Sequence, residues 1–274
     1  MELFDFDERF TQTLNAWIEQ NRKKYKRPED MEDAAGELYY TWLETPADWL
    51  GGVAPGEYYR QFSDAAALTG LLKRHIAEEV PVPDPLLERL EELADKDALL
   101  ALALDKAAPC EARMSAITIL RQLDSTAPMV DYIRWQVERT EEEDLLDNAL
   151  ESLRCMGEAV RRPVKIAFTA ADDAGKEALL DVLADFPADS DVVDYAIRRF
   201  QNTPEKRALF AGYLGKLGDD RALEPLLTVA EGEKVSYIDF IEIRSAIERL
   251  GGEAPVRDFD DDPTYLAVKR LQTR

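Results

Sequence analysis

Six apolar anchors recur along this chain at nearly even spacing, and that recurrence constrains the fold more than any other feature. "LEELAD" ends an apolar stripe at Leu93, "ILRQLD" at Leu123, "SLRCMG" at Met156, "VLADFP" at Phe186, "YLGKLG" at Leu217 and "AIERLG" at Leu250. The intervals are 30, 33, 30, 31 and 33 residues. Each stripe has helical spacing. Phe210, Leu214 and Leu217 fall at i, i+4 and i+7 with Tyr213 beside them, so the segment makes a helix whose one apolar face must pack on a neighbour. A second helix is predicted after each of the first five anchors, over about 98–106, 127–139, 159–170, 190–201 and 222–231. Self-similarity at this period signals stacked helix pairs, and no segment carries a convincing strand alternation. Turn chemistry agrees. Gly157, Gly218 and Gly251 stand where helices must stop. Thr203-Pro204 and Asp262-Pro263 read as an N-cap followed by proline at the first helical position.

The "LxxLGD" of residues 214–219 and its blurred relatives resemble HEAT-like (PBS-lyase-type) helical repeats, over roughly residues 85–252. The resemblance implies an all-α fold in which helix pairs stack into a right-handed α-α superhelix. The tetratricopeptide Trp/Leu-Gly/Tyr pattern and the ankyrin "TPLH" do not occur in the chain. Three segments follow: an aromatic-rich helical N-terminal cap over 1–80, five to six HEAT-like helix pairs over 81–252, and a C-terminal capping segment over 253–274.

The first segment stands apart by composition. It holds Trp17, Trp42 and Trp49 with Tyr25, Tyr39, Tyr40, Tyr58 and Tyr59. Helices are predicted over about 6–24, 29–44 and 64–79, with "PVPDP" at 81–85 as a stiff joint. A solenoid's end repeat needs a cover for its open face. "ALLALALDK" at 98–106 is apolar nearly all round, so the aromatic N-terminal helices are expected to bury its outer side.

Charge narrows the function classes. The formal net charge is −22, from 34 basic and 56 acidic residues. Such a field repels phosphate backbones and anionic membrane surfaces, which disfavours nucleic-acid partners. No run approaches the length of a membrane span. The start "MELFDFDERF" lacks the basic-then-apolar build of a signal peptide, so a cytoplasmic location is expected.

Few residues point to catalysis. His75 is the only histidine, so a histidine-dependent triad or a multi-histidine metal site would have to be built on it. Its place in "LLKRHIAEE" suggests a surface or helix-end side chain. Cys110 opens a helix, where the dipole favours a thiolate but Glu111 opposes one, and Cys155 reads as a small core residue. "DFDDDP" at 258–263 reads as capping by Asp262 ahead of weak divalent binding. "EEED" at 141–144 suits the positive end of a helix, and the basic island "NRKKYKR" at 21–27 suits the negative end of the first one. No phosphate-binding loop, dinucleotide fingerprint or zinc-helix motif is found, so neither a cofactor nor a bound metal is expected.

The candidate site lies on the second helices, which line the concave side in HEAT-like solenoids. With Met129, Val130, Ile133 and Val137 taken as the apolar stripe of 127–139, Asp131, Trp135, Glu138 and Arg139 point outward with Arg134 on the flank. Arg162, Lys165, Ile166 and Thr169 are the matching set in 159–170, and Asp194, Ile197, Arg198 and Gln201 that in 190–201. Tryptophan and arginine are enriched in binding hot spots. These faces predict a non-enzymatic scaffold that binds a protein or peptide segment, acidic or carboxylate-bearing, through Asp131, Arg134, Trp135, Arg139, Arg162, Lys165, Asp194 and Arg198. Two other readings come with the architecture: bilin chemistry, as in PBS-lyase-type repeat proteins, and repeat-type nucleic-acid binding.

Overall fold

A computed structural model describes residues 1–22, 24–25, 27–232 and 235–272; of Pro28, Asp30 and Gln272 it describes the backbone. Among them the regular structure is helical, with no strand. Three helices come first: α1 (Phe6–Asn21), α2 (Pro28–Glu44) and α3 (Ala65–Ala77). Helices then alternate as the anchors require: α4 (Asp84–Leu93) and α5 (Lys96–Leu104), α6 (Cys110–Gln122) and α7 (Met129–Glu138), α8 (Glu143–Cys155) and α9 (Glu158–Ala170). There follow α10 (Asp173–Leu183) and α11 (Ser190–Asn202), α12 (Arg207–Leu217) and α13 (Leu223–Glu231), and finally α14 (Tyr237–Arg249) and α15 (Pro263–Gln272). Each anchor falls at or within a few residues of the end of a first helix.

Local chemistry fixes these boundaries. Asp64, Asp95 and Asp172 each accept a hydrogen bond from the backbone N–H three residues on, at 3.1, 3.0 and 2.9 Å, which satisfies amides that the first turn leaves free. Asp262 does more than cap. One carboxylate oxygen accepts from Thr264 and Tyr265 at the start of α15, and the other accepts from the Tyr237 amide at the start of α14, 3.0 Å away. The expected cap at Thr203 does not form. Its side chain makes no capping bond, and Pro204 opens a short 3-10 turn that leads into α12. At the other ends, Gly157, Gly218 and Gly251 take positive φ of 58°, 67° and 79°, which glycine adopts without strain, and Gly218 forms the left-handed C-cap of α12.

The chain divides into two compact units, Met1–Pro128 with Glu141–Met156, and Met129–Thr140 with Gly157–Arg274. In the first, α4, α6 and α8 pack side by side, and α3 packs on α4, α5 and α6. The aromatic residues gather instead around α1, α2 and the two 3-10 turns between α2 and α3. Phe6 meets Trp49 and Tyr59 at ring-centroid distances of 5.2 and 5.8 Å, and Phe10 meets Tyr39 at 4.9 Å. So α3, not the aromatic cluster, covers α5. Of the basic island 21–27, Lys24 donates to Asn21 at the end of α1, while Lys23 and Lys26 lie outside the described residues.

His75 departs from expectation. It sits in the last turn of α3 but is fully buried, and neither ring nitrogen makes a well-aligned hydrogen bond. Burial holds its pKa below the ordinary histidine value, against the nearby backbone of Pro81 and Val80. The unfolded chain therefore takes up the proton first, and stability is lost as pH falls below about 6.5. Urea titrations of the wild type should show that decline setting in as pH falls through about 6.5, and His75→Leu should flatten it.

A buried ion pair within the first unit holds Glu141, two residues ahead of α8. Arg113 on α6 and Glu141 are 5% and, at the side chain, 4% exposed, and their charged groups lie 2.8 Å apart. Arg113 also donates to the Ala103 carbonyl at 2.9 Å, and Lys106 approaches Glu141 from solvent at 3.2 Å. Burial opposes the charge on Glu141, but Arg113 and Lys106 outweigh it and hold the carboxyl below its usual range. The expectation that "EEED" serves only the helix end is thus corrected at Glu141.

In the second unit, α7, α9 and α10 pack together, α11 packs on α12, and α12 packs on α14. The α12–α14 contact depends on a missing side chain. A methyl group on Gly215 would stand 3.0 Å from the Ala246 Cα and 3.2 Å from its Cβ, whereas one on Gly212 would meet nothing within 4 Å.

Candidate functional site

The side chains expected on the second-helix faces behave differently from one another. Trp135 is not an outward anchor: it is 3% exposed, packed beside Tyr132 with ring centroids 5.2 Å apart. The helix is rotated from the expected register, with Tyr132, Ile133, Trp135 and Gln136 inward and Val130 71% exposed. Two large aromatic side chains remove more apolar surface from water than one valine, so they set the buried face. Asp131 and Arg134 form an i,i+3 ion pair on the outside of α7. Arg139 takes φ of 52°, the left-handed residue that ends α7, and its guanidinium donates to Gln136.

Residues on α9 and α11 do come together. Phe168, Thr169, Lys176, Asp191, Asp194, Tyr195 and Arg198 line a cleft of about 180 Å³. Burial opposes the Asp191 charge, but its bond to Lys165 prevails and holds the carboxyl below its ordinary pKa. The Tyr195 hydroxyl donates to the Asp173 carbonyl at 2.9 Å, and burial pushes its pKa up to about 12. Asp194 pairs with Arg221 at 2.7 Å. Lys165 and Asp194 are therefore occupied within the chain. Arg162 and Arg198 are exposed and make no ion pair among the described residues. The cleft is small and its charges are largely self-compensated.

A larger groove lies in the first unit, along the outer faces of α4, α6 and α8. Its volume is about 500 Å³, within the range of ligand pockets. Asp84, Glu88 and Glu91 follow i, i+4, i+7 along α4, opposite the fully buried Leu86 and Leu90. Glu111, Ser115, Thr118 and Gln122 continue the same spacing along α6, and Asn148 closes the groove on α8. Leu87, Met114 and Ile119 give the floor an apolar character. The wall between α6 and α8 is fixed by polar bonds. Arg121 donates to the Asn148 side-chain oxygen at 2.8 Å, and Asn148 donates back to the Met114 carbonyl at 3.1 Å.

The charges of this groove have one sign. No lysine or arginine lines it, and none of Asp84, Glu88, Glu91 and Glu111 makes an ion pair among the described residues. Neighbouring groups register the field. The Tyr39 hydroxyl, hydrogen-bonded to Asp84, is pushed up in pKa by burial and then by the charges of Asp84, Asp7 and Glu88. The Cys110 thiol at the start of α6 is pushed up by burial and then by Glu142 and Glu111. That shift opposes the thiolate that the helix start would favour. Cys155, expected in the core, is exposed at the end of α8.

No group of three or more His, Cys, Asp or Glu side chains among the described residues is arranged to hold a metal, and no described helix is long and apolar enough to cross a membrane. No protein-family model matches the chain, and no curated protein matches it significantly.

Proposed function

We propose that the chain is a non-enzymatic helical-repeat scaffold, its helix pairs stacked as in HEAT-like superhelices, that binds a segment of another protein. The groove on α4, α6 and α8 carries this reading: three helices present one apolar-floored face, and the Arg121–Asn148 bonds hold that face in shape. A preformed groove avoids the ordering cost that weakens flexible sites. A helix laid in it would use anchors at i, i+3 or i+4, and i+7.

A second reading keeps the acidic segment suggested by the sequence and seats it along α9 and α11. What favours it is the pair of arginines, Arg162 and Arg198, without ionic partners among the described residues, since guanidinium groups bind carboxylates through paired hydrogen bonds.

Affinity capture with three baits separates the two. Met114→Glu with Ser115→Glu fills the groove, and Arg162→Glu with Arg198→Glu reverses the two exposed arginines of α9 and α11. A protein captured by the wild type and lost only from the groove variant supports the groove. Loss only from the cleft variant moves the site to α9 and α11. A capture that neither variant changes, or no capture at all, rejects both.

A further inference from the structure

The groove reading leaves the chemistry of the partner open, and the charge around it speaks to that. Four carboxylates surround an apolar floor, and the lining contains no cation. Glu92, one turn beyond Glu88 on the same helix, is held by both Arg60 and Arg89. Glu88 and Glu91 sit beside that cluster and take no partner from it among the described residues. Part of the pattern has a local use, because Asp84 and Glu111 lie in first turns and complement the helix dipole. That use does not extend to Glu88 and Glu91, which lie further along α4 and face the groove.

Resting on the groove reading above, we infer that the occupant is a cationic amphipathic helix, a segment with lysine or arginine flanking one apolar stripe. The juxtaposition fits such a ligand in both of its parts. Leu87, Met114 and Ile119 receive the apolar stripe, and methionine adapts to varied side chains. Asp84, Glu88 and Glu91 along α4 and Glu111 at the start of α6 meet the flanking cations. Neighbouring helices pack about 8–10 Å apart, so a segment crossing three of them spans roughly 20 Å, or about 13 residues of helix. An acidic or neutral helix would bury the same apolar area but leave four carboxylates facing like charge or nothing. Discrimination of this kind rests on charge complementarity.

The test uses four synthetic peptides of about 16 residues and the full-length protein, read by fluorescence anisotropy at low salt. The first has a leucine stripe flanked by lysine. In the second glutamine replaces lysine, and in the third glutamate does. The fourth keeps the lysines but replaces the leucines with glutamine. The leucine/lysine peptide should bind at least about ten-fold more tightly than the leucine/glutamine one. That advantage should shrink as salt is raised from about 0.05 to 0.5 M. Glu88→Lys with Glu91→Lys, two exposed changes, should abolish the preference for the leucine/lysine peptide, because two lysines then offset Asp84 and Glu111, with an unchanged thermal midpoint as the control for folding.

Equal binding of the lysine and glutamine peptides, both blocked by Met114→Glu with Ser115→Glu, overturns the cationic inference and leaves the groove reading standing. Binding of none of the peptides overturns both. Equal binding of the fourth peptide, or full competition by spermine alone, shows a simple cation site and overturns the helix as occupant. A dimer in sedimentation that the leucine/lysine peptide dissociates would make a second copy the occupant, and overturns it as well.

Discussion

Replacing Arg113 with methionine should lower the stability of the fold by about 3–5 kcal/mol, the usual cost of stranding one member of a buried ion pair. The environment explains the size of the effect. Arg113 and Glu141 are almost entirely withdrawn from water, and the arginine also satisfies the Ala103 carbonyl. Removing it leaves a buried carboxylate with Lys106, whose own side chain is 70% exposed and screened. The double variant Arg113→Met with Glu141→Leu should recover much of the loss, because neither charge then needs a partner. Chemical denaturation of the two single variants and the double variant checks this, and strict additivity would contradict a direct interaction. The pH dependence has a fixed sign. Glu141 is held below its ordinary pKa in the folded state, so its contribution is present above the unfolded value of about 4.3 and lost as pH falls through the folded one. That decline sets in below about 4.3, whereas the one from His75 sets in near 6.5.

Gly215→Val should destabilise the second unit by about 3 kcal/mol, the upper end of the usual cost of overpacking a core. Even the first carbon of a side chain would stand 3.0 Å from the Ala246 backbone, and a backbone atom cannot swing away as a side-chain tip can. The α12–α14 pair must separate or tilt, which loses contacts around the fully buried Ile243 and Leu214. Gly212, one turn earlier in the same helix, provides the control. Its added methyl meets nothing within 4 Å, so Gly212→Ala should stabilise the helix by up to about 1 kcal/mol through propensity. Amide exchange localised to α12 and α14 measures both. Similar behaviour of the two positions would show that helix propensity, not the close approach, governs this contact.

Helix placement was legible because it depends on features that stay within one segment. Apolar spacing placed every first helix, and the glycine stops at 157, 218 and 251 all take positive φ. Facing was harder, because it depends on competition between side chains. On α7 two stripes were available, and the aromatic pair Tyr132 and Trp135 displaced the one that ran through Val130. His75 shows the same limit from another side: its sequence neighbours Lys73 and Arg74 are charged, but helix packing takes the ring itself out of water.

The acidic groove was in the sequence in fragments. Asp84, Glu88 and Glu91 already show an outward face with one sign of charge, and Ser115, Thr118 and Gln122 extend it without a cation. What the chain order does not give is that α4, α6 and α8 turn these faces in a common direction. Glu141 was hidden for a similar reason. Within "EEED" it resembles its neighbours, and only Arg113, 28 positions earlier, distinguishes it.

The Asp262 carboxylate has a consequence for how the end of the chain behaves. Because its two oxygens serve the first turns of α14 and α15 at once, the two helix starts share one anchor. Undocking the last helix from that end exposes the Tyr237 amide as well, so each helix raises the cost of unravelling the other. Protonating the carboxyl, whose pKa is held down chiefly by the bond from Tyr237, would weaken both starts together. The final helix is thus thermodynamically coupled to the one before it through a single side chain in the loop that joins them.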